Sequence, residues 1–309
     1  MQHVSLGRTG LKVSRICLGT MTFGLQVDEP ESRAILDHAA ELGVTFLDTA
    51  DAYPLGGDLT TAGRTEEIVG KWLTGRRDDY VVATKCFAPM GTRPWQMGNS
   101  RRHIMDAIDA SLRRLQTDFV DLYQVHFDDR NVPLDETLGA LDDLVRVGKV
   151  RYAGCSNFLA YRLARAIGVS EAKGLVRFDC VQPRYNLLFR EFERELFPLC
   201  LEEGIGVIPY NPIAGGLLSG KHDRSKPPEE GTRFTLGTAG RMYQDRYWHD
   251  NVFDTVDQLD KLADEAGIPL PTLAVAWTLA NPAITAPIVG ASRPGQLDAT
   301  VAADRKSVV

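Results

Sequence analysis

The chain has 309 residues, 44% of them hydrophobic and 25% charged, with a formal net charge of -6 at pH 7. That mildly acidic balance excludes a nucleic-acid binder held by charge, and the apolar content excludes a disordered chain. The length fits a single domain over residues 1–309 with a sizeable core.

The opening MQHVSLGRTGLKVSR lacks the apolar stretch of a signal peptide, and no run of about 18 apolar residues occurs anywhere. The expectation is a cytoplasmic protein with no membrane partner. Gly7 and Gly10 mark a small hairpin in the first 14 residues. Short apolar, β-branched runs then recur: RICLGT (15–20), VTFLDTA (44–50), YVVATKC (80–86), VDLYQVH (120–126), VRYAGCSN (150–157), FDCVQP (178–183), IGVIPYNP (205–212) and ITAPIVGA (284–291). They are nearly continuous in hydrophobicity rather than alternating, as strands of a parallel sheet buried on both faces are.

Segments of helical period separate them. Ile104, Ile108, Leu112 and Leu115 recur at three- and four-residue steps, as do Leu134, Leu138, Leu141 and Val145. Further helices are read at 67–73, around 196–201 and near 252–266; Ser100 is a candidate N-cap, and Pro271 with Thr272 opens a late helix. Eight strands each followed by a helix predict an α/β fold, a (β/α)8 TIM barrel. The spacing between strands seven and eight is about twice the others. It holds a Pro/Gly/charge-rich stretch with Phe234, Tyr243, Tyr247 and Trp248, read as a lid or binding loop. The five cysteines form no CxxC pair and mostly lie in or beside strand-like runs, the distribution of reduced core thiols rather than disulfides or zinc ligands.

Such a barrel carries its chemistry at the C-terminal strand ends. Strand two ends in Asp48 and leads to Tyr53; strand three ends in Lys85 and strand four in His126. Ser156 and Asn157 end strand five, Gln182 strand six, Tyr210 and Asn211 strand seven, and GASRPGQ follows strand eight. Taken singly each has an ordinary structural reading, but together they converge on one cavity. An ammonium at Lys85, held by Asp48, would lower the Tyr53 phenol toward working pH, and His126 would orient a carbonyl oxygen. The set contains no evident nucleophile and no metal-ligand cluster, so a hydride-donating cofactor fills the gap. Asp51 reads as a loop carboxylate.

The chain resembles the aldo-keto reductases over nearly its whole length, through GRTGLKVSRICLGTMTFG, FLDTADAY, VVATKC, SLRRLQTDFVDLYQVH, ETLGALDDLVRVGKVRYAGCSNF, VQPRYNLL, PYNPIAGGLLSGK and GASRPGQL. The resemblance implies an NADP-dependent oxidoreductase acting on CH–OH donors and carbonyl acceptors, with a catalytic tetrad of Asp48, Tyr53, Lys85 and His126. Ser156, Asn157 and Gln182 would take the nicotinamide carboxamide and Tyr210 would stack on its ring. Thr20, Met21 and Asp48 would border the cofactor; Asn211, Pro212, Ile213 and Gly215, with Lys221 and Arg233, would hold the pyrophosphate. Gly290, Ser292, Arg293 and Gln296 would surround a 2′-phosphate, favouring NADPH over NADH.

The substrate implied is a small aldehyde or ketone, a keto-sugar or secondary metabolite among them. It would lie against Tyr53, Phe87, Trp95, His126 and Phe127, with Met21, Phe23 and Trp248 also expected near the mouth. Two departures from the family pattern stand out. Ala299 and Thr300 occupy the Glu and Asn positions of QLxEN, and the sequence stops at Val309, so either a more open substrate pocket or a tail missing from this sequence is expected. The alternative is an NADPH-binding regulatory subunit with slow turnover, as in the potassium-channel β subunits. A third reading, a phosphosugar isomerase or lyase, would need the AGG and GAS stretches for substrate phosphate.

Overall fold

Residues 1–305 are described by a computed structural model. The strands β1 (His3–Ser5) and β2 (Lys12–Ser14) pair antiparallel as the expected hairpin. Gly7 sits at its turn with φ +54°, and a Cβ there would lie 2.4 Å from the Gly204 carbonyl oxygen, so only glycine allows this approach. The hairpin inserts Leu6 and Val13 among Cys17, Phe46, Ala83 and Leu122, closing one end of the barrel interior.

Eight parallel strands follow: β3 (Cys17–Gly19), β4 (Phe46–Asp48), β5 (Val81–Cys86), β6 (Val120–Val125), β7 (Val150–Ser156), β8 (Cys180–Gln182), β9 (Gly206–Val207) and β10 (Ile288–Val289). They hydrogen-bond in the order β10-β3-β4-β5-β6-β7-β8-β9, and the parallel bridges Val207–Ile284 and Tyr210–Ile288 join the two ends. The predicted (β/α)8 barrel is thus present. Each strand falls within its predicted run and is shorter than it.

The alternation of strand side chains explains how this wall delivers polar groups. Phe46 faces the barrel interior and Leu47 the outer helix layer, so the next inward residue is Asp48. The same two-residue step leads from Ala83 to Lys85 on β5 and from Leu122 to Gln124 on β6. The interior therefore changes from apolar to polar along the strands.

The outer layer comprises α1 (Glu29–Glu41), α2 (Arg64–Leu73), α3 (Arg101–Leu115), α4 (Leu134–Arg146), α5 (Ala160–Lys173), α6 (Leu196–Glu203), α7 (Gly240–Tyr247), α8 (Asp250–Glu265), α9 (Leu270–Ala280) and α10 (Gln296–Val301). Ser100 caps α3 as expected, accepting from the His103 amide at 3.3 Å, and Pro271 lies in the first turn of α9. No helix among the described residues is long and apolar enough to cross a membrane. All five cysteines are buried and unpaired.

Between β9 and β10 the helix expected near 252–266 is present as α8, but the stretch before it, read as a lid or binding loop, is packed. Phe234, Tyr243 and Tyr247 are buried, and Trp248 packs edge-on against Phe234 at 4.9 Å and Phe253 at 5.1 Å. These aromatics bury one another with Ala214, Leu217 and Val256 in a second small core that supports α7 and α8. Trp248 is accordingly a packing residue rather than part of an open mouth. Phe23 is likewise fully buried in the outer core.

Candidate active site

At the polar rim, Lys85 is fully buried. Its ammonium donates to Asp48 Oδ2 at 2.6 Å, to the Thr49 carbonyl at 2.8 Å and to the Tyr53 hydroxyl at 3.3 Å. Asp48 Oδ1 accepts from Gln182 Nε2 at 2.8 Å and from Gln124 Nε2 at 3.3 Å. The carboxylate is thereby saturated with donors, which permits a buried ion pair at this depth.

Burial works against the charge on Lys85, but Asp48 and Tyr53 outweigh it and hold its pKa above the ordinary lysine value. For Tyr53 burial dominates and pushes the phenol up, with Lys85 only partly offsetting it. This reverses the lowering expected from the ammonium alone: a phenolate in a dry site loses more hydration than one ammonium returns. Burial, then Lys85, holds His126 well below the usual histidine range, so the imidazole is neutral. Its Nδ1 is buried without a partner, and its ring stands edge-on to Tyr53 with centroids 5.9 Å apart. A protonated phenol and a neutral imidazole thus face each other beside a fixed cation.

Beyond His126 the rim continues as a hydrogen-bonded arc. Asn157 Nδ2 donates to the His126 carbonyl at 2.9 Å and to Ser156 Oγ at 3.0 Å, and Asn157 Oδ1 accepts from the Tyr210 hydroxyl at 2.8 Å. Asn157 and Asn211 both adopt left-handed backbone, φ +59° and +61°, which asparagine tolerates better than most residues and which commonly occurs at functional sites.

Several residues lie differently from expectation. Thr20 is fully buried and its hydroxyl donates to the Asp48 carbonyl at 2.9 Å, so it braces the wall behind the site. The Gln182 amide nitrogen is committed to Asp48 rather than free for a carboxamide. Phe87 and Phe127 do meet, at 5.3 Å, and Phe127 stacks on His126 at 5.0 Å. Trp95 is exposed, with the Arg102 guanidinium 4.8 Å over its ring. Asp51 does lie in the turn after β4, as a loop carboxylate, yet it is fully buried, both its oxygens lack partners, and burial followed by Glu66 raises its pKa well above the carboxylate range. Gln124 was not singled out in the sequence, although its position two residues before His126 puts it on the same inward face.

A groove of about 400 Å³ leads away from this cluster. Met21, Tyr210, Asn211, Pro212, Ile213 and Gly215 line its near end. Lys221, Arg233, Gly290, Ser292, Arg293 and Gln296 also line it, with Ala299 and Thr300. Asn211 Nδ2, Arg233 Nη1 and His222 Nε2 are buried on these lining residues with no partner. Gly215 and Gly216 turn with φ +69° and +103°, and a Cβ on Gly215 would meet the Tyr243 ring at 2.7 Å. Unsatisfied donors, three cationic side chains and a backbone clear of side chains suit a long, anionic, acceptor-rich ligand, and a nicotinamide dinucleotide has that chemistry.

A (β/α)8 barrel with ionisable groups at one rim and a groove lined by cationic side chains beside them fits a barrel oxidoreductase. The chain belongs to the aldo/keto reductase family, whose model matches residues 15–306. It is 40% identical to the uncharacterized oxidoreductase YrpG of Bacillus subtilis, over 98% of this chain and 91% of the relative. It is 37% identical to a probable voltage-gated potassium channel subunit beta of Arabidopsis thaliana, over 96% and 89%, and 34% identical to versiconal hemiacetal acetate reductase of Aspergillus parasiticus, over 98% and 92%. The family acts on small-molecule carbonyl compounds and generally uses NAD(P)H.

Proposed function

We propose that residues 1–309 form one functional unit that reduces the carbonyl of a small aldehyde or ketone in the cytoplasm, with Tyr53 as general acid and NADPH as the preferred nucleotide. A reduced nicotinamide in the groove would supply the hydride. The observation that carries the reading is the Lys85 ammonium, fixed 2.6 Å from Asp48 and 3.3 Å from the Tyr53 hydroxyl.

Tyr53 keeps its proton at neutral pH and so starts as the acid the reduction needs. The neutral His126 donates a hydrogen bond to the carbonyl oxygen and aims it at the phenol. As the proton leaves, negative charge develops on Tyr53 beside Lys85, where it is stabilised more than in the starting state. Asp48 keeps that cation in place; Gln124 and Gln182 keep Asp48 in place. Ser156 and Asn157 offer polar groups to the carboxamide, Tyr210 a face to the ring, and Lys221, Arg233, Ser292 and Arg293 donors to phosphates.

Likeness to the probable channel subunits supports a second reading, a nucleotide-binding regulatory subunit with slow turnover. One assay separates the two: oxidation of NADPH, and separately NADH, with a panel of aldehydes, ketones and keto-sugars, for the wild type and Tyr53→Phe. The expected result is turnover that falls by about three orders of magnitude in the variant. Equal rates in both proteins would remove Tyr53 from the chemistry, and tight nucleotide binding without turnover across the panel would favour the regulator.

A further inference from the structure

Two guanidinium groups at the catalytic end of the barrel are used neither by the tetrad nor by the groove. Arg184 follows Gln182 by two residues and bridges in parallel to Tyr210. Its guanidinium carbon lies over Phe189, 3.6 Å from the ring centroid, and 6.0 Å from the centre of Tyr247. Arg246, on α7, has its guanidinium 5.9 Å from the Tyr243 ring. Both are half-buried, and among the described residues neither donates a hydrogen bond nor pairs with a carboxylate within 4.0 Å. The acid nearest in sequence to Arg246, Asp245, faces Arg241 at 3.9 Å.

Tyr210, the bridge partner of Arg184, donates to Asn157 Oδ1 at 2.8 Å on the arc beside His126, and Tyr243, beside Arg246, donates to Asn211 Oδ1 at 3.4 Å on the groove wall. Stacking on an aromatic face leaves the N–H edge of a guanidinium free and fixes its plane, a geometry suited to a carboxylate or phosphate. Two partly desolvated, unpaired cations in a chain of net charge -6 lack any role in balancing local carboxylates.

We propose that Arg184 and Arg246 form an anion-recognising edge of the carbonyl site, so that the preferred substrates are aldehydes or ketones that also carry a carboxylate or phosphate group. This rests on the carbonyl-reductase reading and narrows its substrate class. The anion would be held by the two guanidiniums while its carbonyl reaches Tyr53 and His126, so charge discrimination is separate from the hydride-transfer chemistry. Because the edge is partly open to solvent, the preference weakens as ionic strength rises.

The test compares kcat/KM for matched pairs: para-carboxybenzaldehyde against benzaldehyde for the carboxylate arm, and glyceraldehyde phosphate against glyceraldehyde for the phosphate arm. Wild type should favour the charged member of at least one pair by about tenfold or more at low salt. That ratio should fall to near one in R184Q/R246Q, chiefly through KM. No preference in either arm of the wild type, or a preference that survives in the double variant, overturns the proposal. Absence of turnover with every aldehyde counts against the reductase reading instead. In that case titration with terephthalate in the presence of oxidised nucleotide decides the matter: binding lost in R184Q/R246Q supports the anion edge, and binding equal to wild type, or absent from wild type, refutes it.

Discussion

Lys85 and Asp48 form an ion pair with 2.6 Å between Nζ and Oδ2, the lysine fully buried and Asp48 nearly so. They come from adjacent barrel strands, and each is the inward residue that follows an apolar one. Desolvation of two charges at this depth is tolerated because Thr49, Gln124 and Gln182 supply the remaining hydrogen bonds.

Lys85→Met should therefore fail in two ways. It strands the Asp48 carboxylate among uncharged donors, which should cost about 3–5 kcal/mol of stability, and it removes the charge that stabilises a developing phenolate on Tyr53. Urea unfolding read beside turnover checks both. A variant as stable as wild type would show that the pair is energetically neutral.

Arg293→Ala addresses the nucleotide. Arg293 lines the groove with Ser292, and Ser292 donates to Gln296 Oε1 through its amide at 2.8 Å. Losing the guanidinium should weaken NADPH by about tenfold or more and leave NADH little changed, measured as dissociation constants by fluorescence. Equal losses for the two nucleotides would argue against a 2′-phosphate contact.

Asp51 makes stability depend on pH. Its folded pKa is raised by burial and by Glu66, so over the window above the ordinary carboxylate value the folded state holds a proton that the unfolded chain has released. Stability contributed by this group is full at low pH and declines as pH rises through that window, by up to about 1.4 kcal/mol per pH unit. Asp51→Asn keeps the shape and removes the titration. The difference in unfolding free energy, variant minus wild type, should grow from about pH 4 upward; parallel stability curves would mean that Asp51 is ionised in the fold.

The thiols should be silent in the native protein. All five are buried, and burial raises the pKa of each, Cys200 to about 12. Since the thiolate is the reactive form, a disulfide reagent should label none of them until the chain is unfolded in denaturant. Rapid native labelling would reveal local opening around the modified cysteine.

The eight strands were legible because a strand buried on both faces needs an uninterrupted apolar run, and such runs read without any knowledge of their neighbours. Boundaries were less so: VTFLDTA shrinks to Phe46–Asp48 because the chain bends into the turn at Asp51, although the Thr49 amide still donates to the Ala83 carbonyl at 2.9 Å. The helix near 252–266 was legible from its period, but the packing of the stretch before it was not, because Pro, Gly and charges dominate that stretch and the residues that bury its aromatics, Ala214, Leu217 and Val256, lie outside it.

The order of residue types along the chain by itself determined the barrel and the rim residues Asp48, Lys85 and His126, since the two-residue step of a strand dictates which side chain comes next on the inner face, and it set Tyr53 in the loop that follows Asp48. Tertiary structure alone decided how those groups ionise. Whether Lys85 lowers the Tyr53 pKa depends on how much water burial removes from the phenol, and the Asp51 loop carboxylate has its pKa raised by burial for the same reason. Hydration at a site is set by everything packed around it, and no local stretch of sequence records that.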